Sequence, residues 1–139
     1  MTATATDTLS VVVEREIPAP PAKVWQALTT PQLIEQWLMK NDFKPTVGHR
    51  FKLAADWGTV ECRVKAVEPS RALSYSWAVY GLDSLVTWTL TPKGAGTHLR
   101  LEQSGFRPDQ QRFHEGAKAG LPQFLAKLEQ VLAHKEKAA

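Results

Sequence analysis

The sequence predicts an α+β fold in which a curved, six-stranded antiparallel sheet wraps around a long C-terminal helix, with two short helices between the first and second strands. Three observations support this prediction. Apolar residues alternate with polar ones in six separate segments. The last five segments are joined by short links rich in turn residues, which favours antiparallel pairing. Only the segment after residue 107 is long and carries an apolar stripe at helical spacing.

The first predicted strand begins at Leu9. Leu9, Val11, Val13 and Ile17 share one parity, and Arg15 interrupts it. Arg15 is either a buried cation that could receive a ligand carboxylate or the mark of a strand end or bulge, and we favour the second interpretation. The proline-rich segment that follows Ile17 ends the strand, because proline cannot donate to a ladder.

Two short amphipathic helices are predicted next. Pro20 or Pro21 suits the first position of the first helix, where the missing N–H needs no partner. Thr30 is a plausible N-cap, and Pro31 is then the first residue of the second helix. The two helices are too small to cover the whole sheet, so we expect them to close one end of it.

Five further strands are predicted from the segments that follow, which are GHRFKLAADW, GTVECRVKAVEP, SRALSYSWAVYG, LDSLVTWTLTP and KGAGTHLRLEQSGF. The C-terminal helix comes last, with Pro108 and Asp109 in its first turn. Pro122 lies within its apolar pattern, so we expect a kink or a restart near Gly120. The chain is predicted to consist of a disordered N-terminus at 1–7 and a single domain at 8–136.

Composition excludes several classes of protein. The chain has 139 residues and a net charge of +3, and its basic residues are mixed with acidic ones, so we expect no nucleic-acid partner. No apolar run approaches the length that a membrane span needs, which predicts no stable membrane insertion. The N-terminus lacks the features of a signal peptide, and we therefore expect a cytoplasmic protein.

The sequence shows no convincing set of catalytic or metal-binding residues. Its four histidines lack paired spacing, and the single cysteine, Cys62, has an inward parity with no evident base beside it. The carboxylates form no acid–base pair, and nucleotide-binding fingerprints are absent from the sequence. We therefore predict no catalytic residue, no metal and no cofactor.

Five pieces of the sequence, taken in order, resemble a known family. They are IPAPPAKVWQALTTPQLIEQWL, VGHRF, GTVECRVKAVEPSRALSYSW, LVTWTLTPKGAGTHLRLEQSGF and GLPQFLAKLEQVL, and together they run from residue 17 to 132. The order of elements resembles the helix-grip fold of the START-like and birch-pollen-allergen-like (SRPBCC) superfamily. Within it, the pieces resemble the branch named after the activator of the Hsp90 ATPase.

This resemblance implies a hydrophobic cavity between the sheet and the C-terminal helix, and no catalytic residues shared across the family. The expected function is the binding of a small hydrophobic ligand, lipid-like, polyketide-like or aromatic, by a carrier or sensor. One alternative is a cyclase or hydrolase that uses the same cavity. Another is a protein-binding module of the Hsp90-ATPase-activator type, and a protein partner or a homodimer stays open.

Ten residues are predicted to line the cavity: Trp37, His49, Phe51, Cys62, Tyr75, Trp77, Trp88, Phe113, Leu121 and Phe124. Trp25 is expected to be structural, whereas Trp37 lies near the expected mouth and is a candidate for ligand contact. Trp77 and Trp88, on neighbouring strands, could form one aromatic wall. His49 either points into the cavity or lies exposed at a strand end, and Trp57 lies in a turn from which it could cap an opening.

Overall fold

The structure is a computed structural model that describes residues 9–138, with the side chains of residues 9–133. The predicted N-terminal segment at 1–7 lies outside the described residues. The elements, in order, are β1 (Leu9–Ile17), α1 (Pro21–Thr29), α2 (Pro31–Trp37), β2 (Lys40–Asn41), β3 (Arg50–Ala55), β4 (Gly58–Glu68), β5 (Ala72–Val79), β6 (Leu82–Lys93), β7 (Gly96–Phe106) and α3 (Gln111–Ala138). The predicted α+β class is confirmed.

The strands form one antiparallel sheet in the order β1-β7-β6-β5-β4-β3-β2. The sheet therefore has seven strands, and the prediction of six was wrong. The additional strand is β2, in which Lys40 and Asn41 pair with Ala54 and Leu53 of β3. Two residues are too few to show alternation, so the sequence carried no periodic signal for this strand.

The inner face of the sheet is packed unevenly by α3. This helix packs chiefly against β1, β7, α1 and α2. Its C-terminal half fills the core with leucines that are almost fully buried, at Leu125, Leu128 and Leu132. Its N-terminal half turns the small residues Gly116, Ala117 and Gly120 towards the ends of β5, β6 and β7. The sheet is thus closely covered at one end and loosely covered at the other.

The α3 helix runs without interruption through Pro122, so the predicted restart near Gly120 does not occur. It begins at Gln111, and the predicted first turn at Pro108 forms a separate turn before it. Gln110 fastens this end of the helix, because its side chain accepts a hydrogen bond from the Arg107 N–H and donates one to the Gly81 carbonyl. In residues 9–138 no helix is both long and apolar enough to cross a membrane.

Arg15 lies on the inner parity of β1, in register with Leu99, and donates to Glu129 of α3 at 2.7 Å. The irregularity in β1 lies between Leu9 and Ser10, so Arg15 marks neither a strand end nor a bulge. The carboxylate that Arg15 binds is the side chain of Glu129, and not that of a ligand. This ion pair joins the first strand to the last helix.

The proline that begins the second helix leaves one backbone carbonyl of the first helix without its usual partner. Pro21 and Pro31 begin α1 and α2, as predicted. The Ala27 carbonyl would normally accept from the residue four positions on, which is Pro31 and has no N–H. The indole Nε1 of Trp37 donates to this carbonyl at 2.8 Å instead. Trp37 therefore binds the two helices together.

The outer face of β1 and β7 carries a cluster of charges around His98. The ring of His98 contacts Glu14 at 2.7 Å through Nε2 and Glu16 at 2.9 Å through Nδ1. Lys93 donates to Glu16 at 2.8 Å. An imidazole can donate to both carboxylates only when both ring nitrogens carry protons. The hydrogen bonds with Glu14 and then with Glu16 therefore raise the pKa of His98 above its usual value.

The bond between Trp37 and Ala27 predicts a stability difference between two conservative substitutions. Trp37→Phe should destabilise the fold by about 1–3 kcal/mol, because it leaves the buried Ala27 carbonyl without a donor. Trp25→Phe is the matched control, since Trp25 is only half-buried and no described residue accepts a hydrogen bond from its indole. Urea unfolding of both variants measures the difference. Equal losses of free energy of unfolding would contradict this role for the Trp37 indole.

The His98 cluster predicts a pH dependence with a defined sign. Because the pKa of His98 is raised from 6.5 in the folded state, the cluster stabilises the fold fully below that value. This contribution is lost as the pH rises through the folded pKa. An NMR titration of the His98 ring should give a pKa above 6.5, lower in Glu14→Gln and unchanged in Glu68→Gln. A wild-type His98 pKa at or below 6.5 would show that Glu14 and Glu16 do not stabilise the protonated ring.

Candidate functional site

A cleft of about 340 Å³ lies between the N-terminal half of α3 and the adjacent ends of β5, β6 and β7. It is open to solvent at one side and closed at the other by the inner face of the sheet. Six of its lining side chains are aromatic: Trp57, Trp77, Tyr80, Phe106, Phe113 and Phe124. The cleft is thus a mainly apolar concavity with aromatic walls.

The helical wall of the cleft is formed by unusually small residues. Gly116, Ala117 and Gly120 face the cleft from successive turns of α3. A Cβ atom added at either glycine would meet nothing within 4 Å, so the space in front of both is open. Leu121 and Phe124 continue the same wall towards the core. The cleft exists because this part of the helix carries too little side chain to fill the space over the sheet.

The rim of the cleft is formed by two neighbouring turns. Trp57 lies in the turn between β3 and β4, and Tyr80 in the turn between β5 and β6; the two side chains are 53% and 68% exposed. Their rings lie 6.3 Å apart, and the Tyr80 hydroxyl donates to the Trp57 carbonyl. A Cβ at Gly58 would meet that hydroxyl, and the φ of 151° at this position is one that other residues rarely adopt, so the turn favours glycine there. The hydrogen bond holds the Tyr80 side chain against the β3–β4 turn, so that its ring lies next to the Trp57 ring beside the opening.

Tyr80 adopts a backbone conformation that large residues rarely take. Its φ is 48°, and the φ of Gly81 is 84°, so both central residues of this two-residue hairpin turn are left-handed. Glycine, asparagine and aspartate are the usual choices at such positions, and a non-glycine residue there carries a cost. The left-handed conformation of Tyr80 therefore costs free energy, and it places an exposed aromatic side chain at the rim of the cleft.

Two polar side chains line the cleft. Gln103, on the inner face of β7, is only 4% exposed, and its Nε2 donates to Ser84 Oγ at 2.9 Å. Arg112, on the first turn of α3, is exposed and forms no hydrogen bond or ion pair with any described residue. Arg112 is also the one lining residue that is charged at neutral pH. The cleft therefore has an apolar body, a polar group within it and a cation at its edge.

Four of the ten predicted residues line this cleft: Trp77, Phe113, Leu121 and Phe124. Five others lie in the packed core: Trp37, Phe51, Cys62, Tyr75 and Trp88. Trp88 packs edge-on against Trp37 at 5.4 Å, while Trp77 faces the cleft, so these two strand tryptophans do not form one wall. The structure thus separates a filled aromatic core from an open cleft on the same face of the sheet.

Phe43 explains why the core is filled where a cavity was expected. It lies in the segment between β2 and β3, and its ring packs edge-on against Phe51 at 5.0 Å and Tyr75 at 6.4 Å. His49, at the end of this segment, stacks parallel to Phe51 and contacts the Asp42 carbonyl through Nε2 at 2.9 Å. His49 is therefore half-buried at the edge of the core and does not line the cleft.

The buried core groups are unsuited to acid–base chemistry. Burial raises the pKa of the Cys62 thiol to about 12, which leaves it protonated at neutral pH. Burial likewise raises the pKa of Tyr75, although the hydrogen bond from Trp88 Nε1 at 3.0 Å acts against the rise. Among the described residues, no group of three or more His, Cys, Asp or Glu side chains could hold a metal ion.

A second depression, of about 310 Å³, lies at the opposite end of α3, between residues 17–19 and residues 129–133. It has no aromatic lining residue, and the carboxylate at its edge, Glu129, is already bound to Arg15. Of these two depressions, the first combines aromatic rings with a buried polar group, and the second does not. We therefore take the cleft beside Gly116 and Gly120 as the candidate site.

Sequence reasoning missed the small helical wall and the polar group. Gly116 and Gly120 are four residues apart on α3, a spacing that places both on one face. Gln103 shares the inward parity of Leu99 and Leu101, which marks a polar residue at a core position. Both signals were present in the sequence. The position of Arg112 at the edge of the cleft depends on the tertiary fold and had no comparable signal.

Solved structures with this architecture include three similar proteins. Protein MLL2253 from Mesorhizobium loti is 60% identical, with a TM-score of 0.89, over 91% of this chain and 98% of that one. BH1534 from Bacillus halodurans is 28% identical, with a TM-score of 0.81, over 91% and 99% of the two chains. CalU16 from Micromonospora echinospora is 25% identical, with a TM-score of 0.80, over 94% and 80%.

Comparison with curated protein sequences finds no match. A family model does match: that of the activator of Hsp90 ATPase homolog 1-like proteins, over residues 18–133. This range begins just after β1 and extends into the C-terminal half of α3, so it includes every residue of the cleft. The chain therefore belongs to the family of activator of Hsp90 ATPase homolog 1-like proteins.

Proposed function

We propose that this protein binds a small, mainly apolar ligand in the cleft between α3 and the ends of β5, β6 and β7, as a carrier or sensor. The observation that carries the proposal is the pairing of a glycine-rich helical wall with aromatic walls opposite it. A helix that served only to cover the sheet would gain stability from larger side chains at these positions. The small residues instead leave space that a ligand can occupy.

The dimensions and chemistry of the cleft suit such a ligand. Its volume of about 340 Å³ falls within the range of small-molecule sites. Ligand burial there would gain roughly 25 cal/mol for each Å² of apolar surface removed from water. Aromatic side chains such as Trp77 and Phe113 offer offset or edge-on contacts to a flat ring. These features favour a compact aromatic ligand over a long flexible chain.

Binding is better supported than catalysis. A cyclase or hydrolase needs a general base within hydrogen-bond reach of its substrate. In the described part of the chain, the cleft lining contains no carboxylate, imidazole or thiol. The protonated Cys62 thiol lies in the core. The residues that are present can bury, stack against and orient a ligand.

Filling the helical wall should abolish binding without unfolding the protein. Gly120→Leu places a side chain in the open space of the cleft, and replacing a helical glycine should stabilise α3 by up to about 1 kcal/mol. The probe is anilinonaphthalene sulfonate, an aromatic anion that fluoresces in apolar surroundings. We expect its affinity to fall at least about tenfold in Gly120→Leu, with an unchanged or higher melting temperature.

Ala119→Leu is the matched control, because Ala119 is exposed on α3 and does not line the cleft. It should leave probe binding unchanged. The probe should also stabilise the wild type by mass action. At one hundred times its Kd, the free energy of unfolding should increase by about 2.7 kcal/mol, and the melting temperature should rise accordingly. Equal probe affinity in the wild type and in Gly120→Leu would count decisively against the cleft as the binding site.

A further inference from the structure

Gln103 is a polar residue in a position where the sheet otherwise presents apolar side chains. It lies on the inner face of β7, beside Val86 of β6 and Val11 of β1 in the sheet register. It is 4% exposed, and it also lines the cleft. A buried amide must hydrogen-bond through both its nitrogen and its oxygen to avoid a desolvation cost. The question is what satisfies each end of this amide.

The hydrogen bonds of Ser84 fix the orientation of the Gln103 amide. Ser84 has one hydroxyl proton, which it donates to the Trp77 carbonyl at 2.8 Å. Its oxygen can then only accept, so the group that faces it at 2.9 Å must be the Gln103 NH₂. The opposite orientation would place two acceptors against each other. The amide is thus held with its nitrogen towards Ser84 and its oxygen Oε1 on the other side.

No described residue donates to Gln103 Oε1. Yet no buried side-chain oxygen or nitrogen atom among the described residues lacks a hydrogen-bond partner. Oε1 must therefore be reachable from outside the protein, and the cleft is the surface that Gln103 lines. Solvent can bond to this oxygen before a ligand enters. A ligand that displaces that solvent must supply a donor of its own, or Oε1 is left unsatisfied.

We propose that the cleft selects aromatic ligands that carry a hydroxyl or another hydrogen-bond donor, and that Gln103 Oε1 receives this donor. This inference rests on the proposed function. Arg112 adds a preference of charge: it is the one charged residue of the lining, and no described residue neutralises it, so neutral or anionic ligands are favoured over cationic ones. The ligand class is therefore phenol-like, with an aromatic body and a donor directed towards β7.

The test compares a naphthol with its methyl ether, in which an O–CH₃ group replaces the O–H group. Both have the same aromatic body, and only the naphthol can donate to Oε1. The wild type should bind the naphthol about tenfold more tightly, because the ether leaves Oε1 without a donor. In Gln103→Leu, naphthol affinity should fall about tenfold to the level of the ether, while ether affinity stays the same or increases. Isothermal titration calorimetry measures all four affinities.

Ser84→Ala provides a second variant that keeps Gln103 itself. Removal of the Ser84 hydroxyl releases the amide from its fixed orientation, so the preference for naphthol over the ether should shrink while both probes still bind. A merely structural role for Ser84 would weaken both probes equally. This variant keeps the inference testable even if Gln103→Leu does not fold.

Three outcomes would overturn the inference, and they separate it from the proposed function. Equal affinity of the wild type for the naphthol and its ether rejects the donor requirement and leaves the cleft as an apolar site. A tenfold preference that persists in Gln103→Leu assigns the donor to another group. Failure of both probes and of anilinonaphthalene sulfonate to bind the wild type rejects the proposed function as well.

Discussion

The cleft depends on the small size of the residues in the first three turns of α3 that face the sheet. Gly116, Ala117 and Gly120 cannot reach the inner faces of β5 and β6, whereas Leu125 and Leu128 further along the helix do fill the core. Protein interiors are normally packed as densely as organic crystals and contain few voids larger than a water molecule. The cleft is much larger than such voids. One helix therefore serves two purposes, as core element and as cleft wall.

The remainder of the fold keeps this gap at one end. Phe43, Phe51, Tyr75 and Trp88 form a closed aromatic core beside the helix pair, and the bond from Trp37 to the Ala27 carbonyl holds that pair together. At the other end, Gln110 ties the start of α3 to the turn at Gly81. Together with the ion pair between Arg15 of β1 and Glu129, this tie attaches α3 to the sheet towards both of its ends. The cleft is consequently preorganised, which reduces the ordering cost of binding.

The sequence predicted most of the fold because its signals are local. Alternation identified β1 and β3 to β7, and the prolines placed α1 and α2, whereas β2 is too short to alternate. Of the kink or restart predicted near Gly120, the restart does not occur, since a single missing hydrogen bond at Pro122 did not break a helix packed along the core. The cleft was predicted only in part. Parity tells which face a residue such as Trp88 or Trp77 occupies, but not whether a distant ring, here that of Trp37, covers it.

The most direct test of the account is an NMR titration of the labelled protein with the naphthol, which follows the backbone amide signals and the side-chain N–H signals of the tryptophans and of Gln103. We predict large shifts for Trp77 and for the Gln103 amide, and little change for Trp37, whose indole is bound to Ala27 in the closed core. Shifts centred on Trp37, or on residues 17–19 at the far end of α3, would contradict the assignment of the cleft as the ligand site.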